Sequence, residues 1–156
     1  MAFEGNGLVP SQMIFTIMKH LEKNEVGVKK DANVGPIKLF LENTHLQEYI
    51  PKVNQILPTA NEIICYKPGT REIAGFLLYK DATAPSDNNL LKIRLPFVGV
   101  DKKGIQDGIG RQLIEYFLKF WNEKRESKKL VVKSVLHLDK DKHIVGLLEK
   151  CNFKKK

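Results

Sequence analysis

The sequence predicts a mixed α/β fold, and three observations carry that prediction. Two short β-rich runs, 62–66 and 73–79, flank the turn dipeptide Pro68-Gly69 and read as an antiparallel hairpin. A strand over 90–100, an amphipathic helix and a strand over 130–136 form a βαβ unit, whose right-handed crossover makes its two strands parallel. The chain has 156 residues, 42% hydrophobic and 28% charged, enough for one packed domain spanning 1–156. The expected order is helix, helix, strand, strand, strand, helix, strand, helix.

Residues 1–10 carry Gly5, Gly7 and Pro10 and read as an irregular or weakly extended lead. Ser11 is a good N-cap, and Met13, Ile14, Ile17, Met18 and Leu21 recur at helical spacing, predicting a helix over 11–24. Val26-Gly27-Val28 reads as a turn or a very short strand. Pro36 suits the first turn of a second helix carrying Ile37, Phe40, Leu41, Leu46 and Tyr49 and ending near Pro51. A further turn carries Val53, Ile56 and Leu57. Residues 81–89 are polar and read as a loop. Pro96 lies inside the third strand, where the missing N–H predicts a bulge or a local splaying of strands. The next helix places Ile109, Leu113, Phe117, Phe120 and Trp121 on one face. Asp141 caps a last helix carrying Ile144, Val145, Leu147 and Leu148.

Several function classes are excluded. No apolar run approaches the ~20 residues of a membrane-spanning helix. The first residues lack a basic segment followed by an apolar one, so no signal peptide is evident and a cytoplasmic protein is expected. Cys65 and Cys151 have no metal-ligand spacing and read as reduced core residues, with Cys151 lacking a partner base as a nucleophile. His20, His45 and His143 show no ligand cluster, so no metal is implied. The net charge of +8 favours acidic partners, yet the lysines are dispersed and support nucleic acid only weakly.

The most informative stretch is Val100 to Ile114, a strand end, a glycine-punctuated turn and a helix start. Gly108 and Gly110 let a ligand approach the main chain, and the first N–H groups of a helix have no intrahelical partner. Strand, turn and helix N-terminus together make a phosphate cradle. A P-loop requires Lys-Ser/Thr where Arg111-Gln112 stand, and a Rossmann fingerprint requires a third glycine where Leu113 stands. Both patterns fail.

The segment Gly108-Ile109-Gly110-Arg111-Gln112-Leu113-Ile114 resembles motif A of the GCN5-related N-acetyltransferases, Arg/Gln-x-x-Gly-x-Gly/Ala. Asp141 through Phe153 resembles the family's Asn-x-x-Ala-x-x-Leu-Tyr-x-x-x-Gly-Phe. The element order agrees over 61–153. The departures are Ile105 for Arg or Gln, Asp141 for Asn, Leu148 for the tyrosine that protonates the leaving thiolate, and Asn152 for Gly. The resemblance implies an acyl-CoA N-acyltransferase-like mixed sheet with flanking helices, its C-terminal strands short or missing.

It further implies direct transfer of an acetyl group from acetyl-CoA to a primary amine in a ternary complex. The acceptor would be a small molecule or a peptide. Gly108, Ile109, Gly110 and Arg111 would hold the coenzyme A pyrophosphate, Val98 and Val100 the pantetheine arm, and Asp141 would stand in the second motif. For a general base, two residues are open: Glu72, if burial raises its pKa, and His137 at the end of the fourth strand. The alternative is a catalytically weakened module of the same fold that binds an acidic partner, nucleic acid or protein, through its basic surface.

Overall fold

In the computed structural model, which describes residues 2–5, 18–21, 34–67, 70, 72–86, 88–136 and 141–155, the elements alternate as the βαβ reading requires. They are β1 (Ala2–Gly5), β2 (Met18–Leu21), α1 (Val34–Glu42), a 3-10 turn (Gln47–Tyr49) and α2 (Ile50–Ile56). There follow β3 (Asn61–Tyr66), β4 (Ile73–Asp81), β5 (Leu90–Gly99), α3 (Lys102–Gln106) and α4 (Ile109–Lys124). The chain closes with β6 (Lys129–Val135), α5 (Lys142–Lys150) and β7 (Lys154–Lys155). The described strands form one sheet in the order β2-β3-β4-β5-β6-β1-β7. Only β5 and β6 are parallel; the other neighbours are antiparallel.

Alternation along the strands divides the core into two layers. Ile64, Phe76, Leu78 and Phe97 face Ile37, Leu41 and Val53 of the first helices. Ile63, Cys65, Leu77, Tyr79, Ile93 and Leu95 face Leu113, Phe117 and Trp121 of α4 and Leu147 and Leu148 of α5. Each layer excludes water from one face of the sheet, which is the main source of its stability.

Pro96 shapes the middle of this sheet. Arg94 pairs with Lys80 and Phe97 with Leu78, so Leu95 and Pro96 together oppose the single residue Tyr79. The extra residue is a bulge. It also reverses the phase of β5. Leu91, Ile93 and Leu95 point to the α4 layer, but beyond the bulge Phe97 points to the α1 layer and Val98 to α4. The parallel register with β6 runs from Leu90↔Lys129 to Arg94↔Lys133 and stops there. Ser134 Oγ then donates to Leu95 O at 2.8 Å, a buried bond at the point where the ladder gives out. Past it β5 continues to Gly99 without β6 in its register.

Two expectations are corrected, and the far edge of the sheet is filled in a way the sequence does not announce. Within the helix predicted over 11–24, Met18–Leu21 is a strand, pairing Met18↔Cys65 through Leu21↔Glu62, while the rest of that span lies outside the described residues. The pairing covers an edge of β3 that would otherwise present unpaired backbone groups, and this outweighs the local helical spacing. Pro51 begins a helix instead of ending one, because it sits in the first turn of α2, where a missing N–H costs nothing. The sheet beyond β6 is closed by β1, which inserts between β6 and the two-residue β7. The C-terminal strand is short, as expected, and the first residues of the chain fill the place beside it.

Candidate active site

The turn after β5 is more ordered than a glycine loop. Asp101 Oδ1 accepts from Gly104 N at 2.7 Å and caps α3, a helix of five residues. Gly108 follows at φ +80°, a left-handed conformation that L side chains rarely adopt, and a Cβ there would meet nothing within 4 Å. It starts α4, 16 residues long. The N–H groups of Ile109 and Gly110 lie in the first turn, beyond reach of any intrahelical carbonyl, at the positive end of the helix dipole. Nothing overhangs this end from Gly108, so an anionic group has room to approach.

Gly110 has a different task. A Cβ built on it would lie 2.6 Å from Leu147 Cδ2, so this glycine lets α4 and α5 approach closely. Its side-chain face is turned into the core and is unavailable to a ligand; only its N–H remains for one.

Beside the end of the β5–β6 ladder lies a small pocket lined by Leu46, Tyr49, Pro96, Val98, Asp141 and His143, among others. A larger cavity of about 760 Å³ lies between α1, the start of β4 and α3, with Pro36, Phe40, Glu72, Asp101 and Lys103 on its walls. Thr44 lines the large cavity and Leu46 the small pocket, so His45 stands in the chain between them.

The polar groups at the small pocket come from distant parts of the sequence. Tyr49 OH donates to Asp141 Oδ1 at 2.5 Å. Burial and the adjacent Asp141 carboxylate hold the phenol well above its usual pKa. The rings of His45 and His143 meet edge-on with centroids 5.1 Å apart. Burial, with His45 beside it, pushes the His143 pKa below its usual value, and Asp141 opposes the shift.

No protein-family model and no curated protein matches the chain. Solved structures do match its fold. An aminoglycoside acetyltransferase, meta-AAC0020, from an uncultured soil metagenomic sample and in complex with sisomicin is 13% identical, with a TM-score of 0.60 and coverage of 91% of each chain. The ribosomal-protein-alanine N-acetyltransferase of Brucella melitensis biovar Abortus 2308 is 16% identical, with a TM-score of 0.55, covering 85% of this chain and 89% of that one. The aminoglycoside N-acetyltransferase AAC(6')-Iy, solved with CoA, is 15% identical, with a TM-score of 0.54 and coverage of 96% and 93%. The chain has the GCN5-related N-acetyltransferase (GNAT) fold.

On this GNAT frame the residues singled out in the sequence separate into groups. Gly108, Ile109, Gly110 and Arg111 stand together at the start of α4. Val98 is buried on β5 beyond the bulge and lines the small pocket, and Val100 is buried just past the strand. Asp141 reaches the same pocket, with its carboxylate bonded to Tyr49 and not capping its own helix. Arg111 Nε lies 3.1 Å from Glu115 Oε1, so much of its charge serves a fully buried carboxylate one turn along the helix. Leu148 is fully buried in the α5 core. Glu72 is exposed and pairs with Lys67 at 3.4 Å, so it lacks the burial on which a role as base depended. His137 lies outside the described residues; its predecessor Leu136 lines the small pocket.

Tyr49 and the meeting of His45 with His143 were missed by sequence reasoning. No spacing could reveal them, because 92 residues separate Tyr49 from Asp141.

Proposed function

We propose that this protein is an acetyl-CoA-dependent N-acetyltransferase that passes the acetyl group directly to a primary amine in a ternary complex. The observation that carries the reading is that the β5–β6 ladder ends at Arg94 and Lys133 while β5 runs on toward the glycine turn and the N-terminus of α4, within a GNAT fold.

The residues present fit coenzyme A. The N–H groups of Ile109 and Gly110 are suited to its pyrophosphate, and Gly108 adds no side chain there. Arg111 adds positive charge at the same turn. Beyond the bulge, Val98 and Val100 would flank the pantetheine arm, with backbone groups of β5 binding it as an added strand is bound. Asp141 lines the small pocket together with Val98. When bound, acetyl-CoA supplies a thioester carbonyl activated for attack by an amine. The protein holds the two reactants together and handles protons, and positioning of this kind accounts for much of the rate of such reactions.

The acceptor is an amine of the small-molecule or peptide class. Neither cysteine is in a disulfide and both are buried, which accords with a reducing compartment and supports a cytoplasmic protein. No helix among the described residues is long and apolar enough to cross a membrane.

Calorimetry with acetyl-CoA, followed by thiol release in the presence of an amine panel, tests the reading. Saturable binding and amine-dependent thiol release are expected. Absence of binding at millimolar acetyl-CoA would overturn it.

A further inference from the structure

Four polar side chains from three separate segments converge where the β5–β6 ladder ends. His45 comes from the turn after α1, Tyr49 from the 3-10 turn, and Asp141 and His143 from the start of α5. Tyr49 holds the carboxylate of Asp141. His45 packs its ring edge-on against the ring of His143. His143 lines the small pocket with Pro96, Phe97 and Val98, the β5 residues that lie past the ladder. Its Nε2 is buried and has no hydrogen-bond partner among the described residues. A buried ring nitrogen left unbonded is costly unless something arrives to bond it.

We infer that His143 is the base that takes the proton from the acceptor amine, with His45 and Asp141 as the residues that position it. The inference rests on the acetyltransfer reading above and names the group that moves the proton within it. As the amine nitrogen attacks the thioester carbonyl, the C–N bond forms and the C–S bond breaks. One proton of the nitrogen passes to His143 Nε2, and the sulfur departs with the bonding electron pair and is protonated from solvent. Coenzyme A thiol has ordinary thiol acidity, so its thiolate leaves near neutral pH without an acid at position 148.

The charges around the ring suit a base. Burial, the neighbouring His45 and Lys102 at the start of α3 all disfavour the imidazolium. Asp141 and Asp101 favour it, and the balance leaves the ring neutral at pH 7. It therefore accepts a proton without first having to lose one.

The test uses the full chain and two readouts. His143→Gln keeps the size and a hydrogen-bonding end, and should lower kcat about 10²-fold or more while acetyl-CoA still binds in calorimetry. The acidic limb of the wild-type pH–rate profile should disappear in this variant. By NMR, the His143 ring resonance, assigned by its absence in the variant, should titrate below the usual histidine value. It should also shift when coenzyme A is added. His45→Asn should move that titration upward, which a merely structural contact would not do. Acetyl-CoA binding with wild-type turnover in His143→Gln overturns this inference and leaves the acetyltransfer reading standing. An acidic limb that disappears in His137→Ala instead, or a His143 resonance unmoved by saturating coenzyme A, overturns it too. A wild-type protein that neither binds acetyl-CoA nor acetylates any amine removes both readings.

Discussion

The phenol of Tyr49 donates to the carboxylate of Asp141, and this bond ties the turn before α2 to the residue that precedes α5. The two helices lie on opposite faces of the sheet, α2 with the α1 layer and α5 with the α4 layer. The bond crosses beside the end of the β5–β6 ladder, where no strand separates them. Tyr49→Phe keeps the ring against Phe97 and removes only the donor. The carboxylate is almost buried, so stability should fall by about 1–2 kcal/mol, read as a lower urea midpoint at unchanged slope. An unaltered midpoint would show that water replaces the phenol at no cost.

Arg111 should behave first as a structural cation. In Arg111→Met the fully buried Glu115 loses its guanidinium neighbour, and because the arginine is partly exposed the cost should be about 2 kcal/mol. The double variant Arg111→Met, Glu115→Leu should recover most of that loss in chemical denaturation. Acetyl-CoA affinity in the double variant should fall less than tenfold, since the guanidinium Nε is already engaged by Glu115. A greater fall, measured by calorimetry, would assign the charge chiefly to the phosphate.

Leu148 stands where the related pattern has tyrosine, and restoring that residue should not help. The side chain is fully enclosed by the α5 core, so Leu148→Tyr adds volume and a hydroxyl with nowhere to go. A loss of about 1–3 kcal/mol is expected, with no gain in turnover. A hundredfold faster variant would show instead that the natural protein has lost a needed acid.

Cys151 provides a pH signature. Burial first, then Glu115, pushes its thiol up to about 11 from a usual 9.0, while Arg111 opposes the shift. Between these values the folded state holds a proton that the unfolded state has released. Stability therefore falls as pH rises from about 9 to about 11, by a total of about 2–3 kcal/mol, and this group adds no slope below that window. In Cys151→Ala that part of the alkaline decline should vanish from denaturation curves. Native Cys151 should also resist alkylation at pH 8.

Much of the chain from β3 onward was legible because its signals are local. β-branched runs, Pro96 within a strand, and glycines before an apolar helical stripe each act within a few residues. The bulge, the parallel pair and the long helix follow from them. The misread strand at Met18–Leu21 failed for a physical reason: its apolar spacing satisfies a helix, and only the neighbouring edge of β3 selects the extended form. In the sequence Gly110 suggests room for a ligand, whereas in the fold its missing Cβ makes room for Leu147, and a residue 37 positions away in the chain leaves no mark on the local pattern. The same holds for His45, Tyr49 and His143. Their association is created by helix packing across the end of a ladder, and nothing in their spacing encodes it.

The insertion of β1 has a consequence for how the molecule is assembled. Ala2 finds its partner at Val135, and Phe3 finds Lys155, so this edge unites segments at opposite ends of the sequence. Closing so long a loop costs entropy before any contact repays it, and pairings of this kind slow folding. On the ribosome, β1 emerges well before β6 and β7 and must wait for them. Until then β5 lacks its parallel neighbour, and its open edge is where a newborn chain is most exposed to pairing with the wrong strand.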